Sequence, residues 1–409
     1  MSDTVVMPEW LNDVFMRYTN AEFAKMVEEK RDAMDQLNIV NIGKTGVGKS
    51  TLINAVFGET LAATGVGRPV TKHCAKYTYG SNPISIYDSK GIETGTGPES
   101  MSGFEDVLEV VERNNSSNNI KDYIHICWYC VLEESKRIED NEIEIIKRLR
   151  QEVPVIVVIT QSMGGDITNA LVREIRSLLG DIDTIPIMAL PKEHKSEYGE
   201  TRIVSHGVDL LVNRSYELLP DSVQKTFAAY QKAVIELKVI QARKAGLAYA
   251  GAVAAASLQP LPIADAPIMV GIQIAMMANI TALFGVDPKQ LDIKSTVAGL
   301  GGPFAAAVAG RTLVSLLKTI PGVGTVAGGV INATTGAALT LGIANIYIGV
   351  LSSIMRNNGT FDNESILVEM NEAAKKLKLN DLIKQWKESK KSSSDEEIQS
   401  IIDEVKKDL

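Results

Sequence analysis

The chain has few of the residues that most often carry chemistry or staple a small fold. Of its 409 residues three are cysteine, four are histidine and 5% are aromatic. Three thiols do not make a disulfide framework. His73, His125, His194 and His206 show no ligand spacing, so no metal role is assigned to them. An excess of positive charge is missing too: 42 Lys and Arg stand against 50 Asp and Glu, a formal charge of −8. A nucleic-acid footprint needs clustered Lys and Arg, so no nucleic acid is expected as a partner. The opening residues MSDTVVMPEWLNDVF show no basic flank followed by an apolar run. No secretory signal is read there, and the default compartment is the cytoplasm. What is present is 45% apolar residues, which excludes global disorder. At this length it supplies cores for two or three domains.

Charge is scarcest in one stretch. Residues 245–355 hold seven charged side chains, Asp265, Asp287, Lys289, Asp292, Lys294, Arg311 and Lys318, and none falls between Thr319 and Met355. The other 298 residues hold 85. A break that sharp marks a domain boundary and raises the question of a membrane.

Periodicity divides the rest. Trp10, Val14, Phe15, Tyr18, Phe23 and Met26 recur at helical spacing, so residues 1–36 are read as an N-terminal amphipathic helix. Apolar runs at Leu37–Ile42, Pro83–Tyr87, Tyr123–Cys130, Val153–Thr160 and Ile185–Ala189 alternate with helical stretches. That alternation predicts an α/β domain with a mostly parallel sheet over 37–220. A helical connector is expected at 221–244, a charge-poor all-α domain at 245–358 and a charged helical tail at 359–409, whose last helix opens on the capping box Ser394-Asp395-Glu396-Glu397. Within the charge-poor stretch, AGAVAAASLQPLP (250–262) lies over AGRTLVSLLKTIP (309–321) at an offset of 59, and Ala278/Ala337 and Thr281/Thr340 match downstream. Two related helical hairpins, each helix, proline break, helix, are expected.

One motif carries chemistry outright. Gly43-Lys44-Thr45-Gly46-Val47-Gly48-Lys49-Ser50 fits G-x-x-x-x-G-K-[ST], with an apolar strand before it and a helix beginning Thr51-Leu52 after it. Such a loop wraps backbone N–H groups around a β-phosphate, and the helix N-terminus adds its dipole. Lys49 would neutralise β- and γ-phosphate oxygens and Ser50 would ligate Mg²⁺. Tyr87-Asp88-Ser89-Lys90-Gly91 has the form D-x-x-G: Asp88 would hold Mg²⁺ through a water and the Gly91 N–H would sense the γ-phosphate. Thr71, in Arg68-Pro69-Val70-Thr71, is the natural second hydroxyl ligand when a triphosphate orders its loop. Arg68 is read as a solvated loop cation ahead of a catalytic arginine. Cys127-Trp128-Tyr129-Cys130 has redox spacing but lies in a β-run, where residues three apart face opposite sides, so buried thiols are expected.

The runs GKTGVGKS, PVT and DSKG resemble the small GTPases of the translation-factor-related class, near the Era-like and septin-like branches, with similar loops in immunity-related GTPases. HICWYC, VIVVITQ and LPIADAPIMVGIQIAMMANITALFG resemble one bacterial family that joins such a domain to a hydrophobic helical domain of unassigned function. The resemblance spans about 37–355 and implies GTP as substrate, Mg²⁺ as cofactor, Lys49, Thr71 and Gly91 at the reacting phosphate, and base contacts from Thr160, Gln161 and the Ala189-Leu190 loop. Two departures stand out. The class carries N/T-K-x-D after the fifth strand, whose Asp accepts two hydrogen bonds that only guanine donates. Here that stretch reads Thr160-Gln161-Ser162-Met163, and Asp166 is at the wrong spacing, so an ATP-using relative stays open. Ile92 stands where Ras-like enzymes place a water-orienting glutamine, and Thr45 crowds the room for an inserted arginine. Slow turnover, stimulated by self-association through the G domain or by a partner, is expected.

The charge-poor domain is weighed evenly between a buried bundle and a membrane-inserting one. Ala266–Val286 is long enough to span but holds Gln273, Asn279 and a break at Pro267, and 319–355 is rich in Gly, Thr and Asn. The outcome is a GTP-driven switch whose state reaches the helical domain through Thr71, residues 88–93 and the connector, with a protein effector as a candidate partner, or a nucleotide-gated protein at a membrane surface such as the inner membrane.

Overall fold

A computed structural model describes residues 19–58, 66–71, 74–78, 82–89, 98–196, 199–256, 265–292 and 333–357, with residues 296, 361, 365, 366, 368, 369 and 384. The chain divides into two compact units, Asp32–Val234 and a second formed by Met1–Arg31 with Ile235–Leu409.

The first unit is built on a seven-stranded sheet. Its strands are β1 (Leu37–Gly43), β2 (Val66–Pro69), β3 (Cys74–Thr78), β4 (Ile84–Ser89), β5 (Ile126–Leu132), β6 (Val155–Thr160) and β7 (Asp183–Ile187), in the order β2-β3-β4-β1-β5-β6-β7. The five strands from β4 to β7 pair in parallel, and β2 and β3 add an antiparallel edge. Parallel strands joined by helical crossovers are covered on both faces and so read as unbroken apolar runs. LNIVNIG and VIVVIT are buried at every position. The helices are α2 (Lys49–Phe57), α3 (Pro98–Asn115), α4 (Asp140–Glu152), α5 (Gly165–Leu179), α6 (Val208–Leu218) and α7 (Asp221–Tyr230), preceded by α1 (Asn20–Asp32). A small hairpin, β8 (Lys192–Ser196) with β9 (Gly199–Ile203), follows β7.

Strand β5 shows how the two faces are filled. Cys127, Tyr129 and Val131 join the core with Phe104, Val107, Ile146, Leu171 and Ile175, and Tyr129 stacks on Phe104 at 6.2 Å between ring centroids. Trp128 points the other way, stacks on Phe57 at 6.0 Å and donates its indole N–H to Ser215 Oγ at 3.0 Å. Cys127 and Cys130 are free and buried. Burial pushes the Cys130 thiol up to about 12, so no thiolate forms at neutral pH.

In the second unit α8 (Ile235–Ala256) packs along α10 (Ala333–Arg356), and α9 (Asp265–Phe284) packs on both. Glu236 at the start of α8 meets Arg356 at the end of α10 (3.0 Å), so these two run antiparallel. Gly246 sits so close to α10 that a Cβ there would lie 2.9 Å from the Ala344 Cβ. Between α9 and α10, Gln273 donates to Thr340 (3.3 Å) and Thr281 shares a hydrogen bond with Tyr347 (2.7 Å). Thr281 and Thr340, aligned by the 59-residue repeat, each donate back to the carbonyl four residues earlier, Met277 and Gly336. Phe23 and Val27 of α1 are buried, and Arg31 of α1 donates to the Val286 carbonyl at 2.8 Å.

Several expectations change. Pro267 does not break its helix: it lies in the first turn of α9, where a missing N–H costs nothing. The stretch expected as one connector, 221–244, is α7 and the first part of α8, separated by a turn at 231–234 in which Gln231 both donates to Val234 O (2.6 Å) and accepts from Val234 N (2.8 Å). Arg68 lies in strand β2 and not in a loop. The segment 309–321 of the repeat, the capping box at 394–397, Gly91 and Ile92 lie outside the described residues.

Candidate nucleotide-binding site

In the sheet order β4-β1-β5 the chain turns from one side of β1 to the other. Doubly wound sheets bind ligands at the carboxyl ends of strands at such a reversal, and residues 43–50 fill that position. Gly43 ends β1 where it pairs with Cys130. Gly46 and Gly48 have φ of 78° and 99°, a region glycine enters without cost, and α2 begins at Lys49.

Lys49 is 8% exposed. Its ammonium donates to Gly43 O (2.8 Å) and Lys44 O (3.0 Å), closing the loop on itself. Burial lowers its pKa, opposed by the charge of Asp88. Asp88, at the end of β4 and in register with Asn41, has its pKa raised to about 6, mainly by desolvation and against the pull of Lys49. Its Oδ1 is buried without a hydrogen-bond partner among the described residues. A buried carboxylate oxygen left open beside a phosphate loop is an arrangement that a divalent cation or its water completes. Ser50 is exposed in the first turn of α2. Thr71 lies in the turn joining β2 and β3, where its hydroxyl accepts from Cys74 N at 3.0 Å. Cys74 pairs with Ser89, which puts this turn at the loop end of β4.

Sequence reasoning missed three supports. Ser89, inside D-x-x-G, accepts from Gly43 N (3.3 Å) and donates to Gly43 O (3.2 Å), tying β4 to the loop. Lys44 forms ion pairs with Glu139 (2.8 Å) and Glu142 (3.2 Å) at the N-terminus of α4, and Tyr129 donates to Glu142 from the sheet (3.3 Å). Glu133, 5% exposed, holds the loop after β6: it accepts from Ser162 Oγ (2.9 Å), Met163 N (2.8 Å) and the Thr168 hydroxyl. An S-x-x-x-x-x-T spacing and a Glu one residue past a strand carry no recognisable signal of that contact.

A cavity of about 220 Å³ opens beside the phosphate loop, lined by Gly48, Thr51, Leu52, Thr160, Gln161 and Ile187–Lys192. It brings Thr160, Gln161, Ala189 and Leu190 together with the loop. Thr160 donates to Val131 O (3.2 Å), and Gln161 has φ of 53°, uncommon for a residue with a side chain.

Residues 38–161 match the family model for "50S ribosome-binding GTPase". By that match this segment is a P-loop GTPase domain. The curated relatives include the "tRNA modification GTPase MnmE" of Clostridioides difficile (strain 630), 26% identical over 191 residues, covering 45% of this chain and 36% of that protein. A second is "Magnetosome membrane protein 22" of Magnetospirillum gryphiswaldense, 33% identical over 101 residues, covering 24% of this chain and 52% of that protein. The chain thus spans about a third to a half of the length of these relatives. Two solved structures are also similar to it. One is a probable GTP-binding protein, engB (TM-score 0.29, 18% identity, 44% of this chain and 97% of that one). The other is Era in complex with MgGDPNP and a 16S ribosomal RNA segment (TM-score 0.30, 20% identity, 46% and 58%). The GTPase domain accounts for the phosphate loop, and the helical unit lies outside the family match.

Proposed function

We propose that the chain is a Mg²⁺-dependent GTP switch that hydrolyses GTP slowly and whose nucleotide state sets the activity of the helical unit. The observation that carries this is Asp88 Oδ1, buried and open beside Lys49 at the loop. Mg²⁺, when bound, neutralises charge on the β- and γ-phosphates. Ser50, Thr71 and Asp88 would hold it, while Lys49 and the backbone of 43–49 bind the phosphates. A pull on the Thr71 hydroxyl strains its turn with Cys74, and the Cys74–Ser89 pairing leads to the Ser89 bridge on Gly43. The loop helix α2 also reaches the turn before α8: Lys232 N donates to Val56 O at 2.8 Å. These bonds offer the nucleotide a mechanical route to residues 231–234.

The test is hydrolysis by the full-length chain with and without Mg²⁺. Specific activity is expected to be low when dilute and to rise with protein concentration, as G-domain pairing predicts. Asp88→Ala should lower Mg²⁺-supported turnover by about 30-fold or more, the worth of a charged ligand at a transferring phosphate, with GTP binding in EDTA unchanged. Turnover that ignores both Mg²⁺ and Asp88 would sink the proposal.

A second reading, a nucleotide-gated protein at a membrane surface, draws on α10, whose residues Gly336–Arg356 are long and apolar enough to cross a bilayer. Most of that stretch is buried inside the helical unit, which favours a cytoplasmic bundle acting on a protein effector. Co-sedimentation with liposomes, with and without a non-hydrolysable GTP analogue, is expected to leave the chain in the supernatant both times. State-dependent pelleting would replace the first reading with the second.

A further inference from the structure

The proposed nucleotide site has an unusual base end. The cavity meets the phosphate loop at Gly48 and Thr51, so a nucleotide with its phosphates on 43–50 lays its base against Thr160, Gln161 and Ala189–Lys192. Apolar walls come from Leu52, Ile187, Met188, Leu190 and Pro191. Among the described residues no carboxylate lines the cavity. Met163 occupies the motif position where an aspartate would accept from the base, and it is 49% exposed.

Two acidic residues lie near enough in sequence to compensate, and neither does. Glu133 has both oxygens engaged behind the loop, one by the Ser162 and Thr168 hydroxyls and the other by Met163 N–H. Asp166 is exposed in the first turn of α5, three positions past the motif residue Met163. The polar side chains of the wall at this end are Thr160, Gln161 and Lys192, and the charged one is a cation. Lys192 Nζ donates to Gln161 Oε1 at 3.5 Å, which turns the amide oxygen toward the ammonium and leaves the N–H₂ to donate.

Resting on the proposed nucleotide site, the geometry points to a pocket that selects 6-oxopurine nucleotides but does not read the 2-amino group, so GTP and ITP are equivalent ligands. The 6-oxo oxygen and N7 of either base accept from the Gln161 amide and Lys192. The 6-amino group of adenine is a donor and meets donors, which leaves both sides unpaired. No carboxylate on the wall accepts the N1–H and 2-amino protons of guanine as a pair, so removing the 2-amino group loses no charge-assisted bond. A site built to pair a substrate group rejects the analogue lacking it by a large factor; a site without the partner does not.

The experiment is equilibrium displacement of a fluorescent GTP analogue from the full-length chain by GTP, ITP and ATP, in Mg²⁺ buffer. ITP is expected within about threefold of GTP, and ATP at least about tenfold weaker, the loss of one or two hydrogen bonds. Met163→Asp, at an exposed position, is expected to weaken ITP relative to GTP by about tenfold. A native chain that prefers GTP over ITP by tenfold or more overturns the missing acceptor. ATP as tight as GTP overturns the 6-oxo selection, and an unchanged ratio in Met163→Asp overturns position 163 as its cause. Failure of all three nucleotides to displace the probe, with none binding directly, removes the nucleotide site itself and this pocket with it.

Discussion

Replacing Lys49 with methionine is expected to lower triphosphate affinity by about 10²–10⁴-fold while leaving the empty protein at least as stable as before. The affinity loss follows from two charge-assisted hydrogen bonds to phosphate oxygens at about 1.5–3 kcal/mol each, with every 1.4 kcal/mol worth about tenfold. The stability half follows from the local structure. Lys49 is 8% exposed, and among the described residues its ammonium donates to the carbonyls of Gly43 and Lys44. Burial disfavours its charged form, as the lowered pKa records. A buried charge held by two carbonyls, with the Asp88 carboxylate as its counter-charge, costs the empty fold energy that phosphate returns on binding. Methionine keeps the aliphatic stem and removes that cost. Calorimetric titration with a non-hydrolysable GTP analogue and thermal melting of the nucleotide-free chain read the two halves separately. Affinity within about tenfold of the parent, less than one full charged hydrogen bond, would show that Lys49 does not reach phosphate.

The parts of this molecule that were legible in the sequence are those whose signal is contiguous. The strands β1, β5 and β6 are covered on both faces, so their residues are apolar in succession and stand out between helices. The phosphate loop is eight consecutive residues and reads the same way. Strands β2 and β3 were not legible. VGRP and CAKYT are short and partly polar, and they are strands because β4 offers β3 an edge to pair with and β3 in turn offers one to β2. The turn at 231–234 has neither glycine nor proline. It is closed by the Gln231 side chain, which a helical pattern does not reveal.

The same distinction runs through the site. Gly43, Lys49 and Ser50 announce themselves by spacing, and Asp88 by its place after an apolar strand. Glu133 meets Ser162 across 29 positions, Lys192 meets Gln161 across 31 and Ser89 meets Gly43 across 46. Those contacts exist because parallel strands bring their carboxyl ends to one edge, and no local pattern encodes them. Glu133 shows the consequence. Its charge suggested nothing in a chain with 50 acidic residues, yet it fixes the loop that would otherwise carry the base-reading aspartate.

Gly43→Ala is expected to destabilise the GTPase domain by about 3 kcal/mol or more, and Gly46→Ala by about 1 kcal/mol, although both glycines belong to the same loop. A Cβ on Gly43 would lie 2.5 Å from the Cys130 carbonyl oxygen, 3.1 Å from the Cys130 Cβ and 3.2 Å from Val47 Cγ2. The first of these is backbone of β5, a strand paired on both sides, so it has no rotamer by which to withdraw. Relief requires parting β1 from β5 where Ser89 and Lys49 also hold Gly43. The φ of 153° adds strain of its own. Gly46 has φ of 78°, but a methyl group added there would meet nothing within 4 Å, which leaves only the left-handed backbone penalty. Urea unfolding followed by tryptophan fluorescence, with Trp10 and Trp386 replaced by phenylalanine so that Trp128 alone reports, separates the pair, since that indole is buried between β5 and Phe57 of α2. Equal midpoints for the two variants would mean that β1 and β5 yield without cost, and that the close approach at Cys130 does not hold the loop in place.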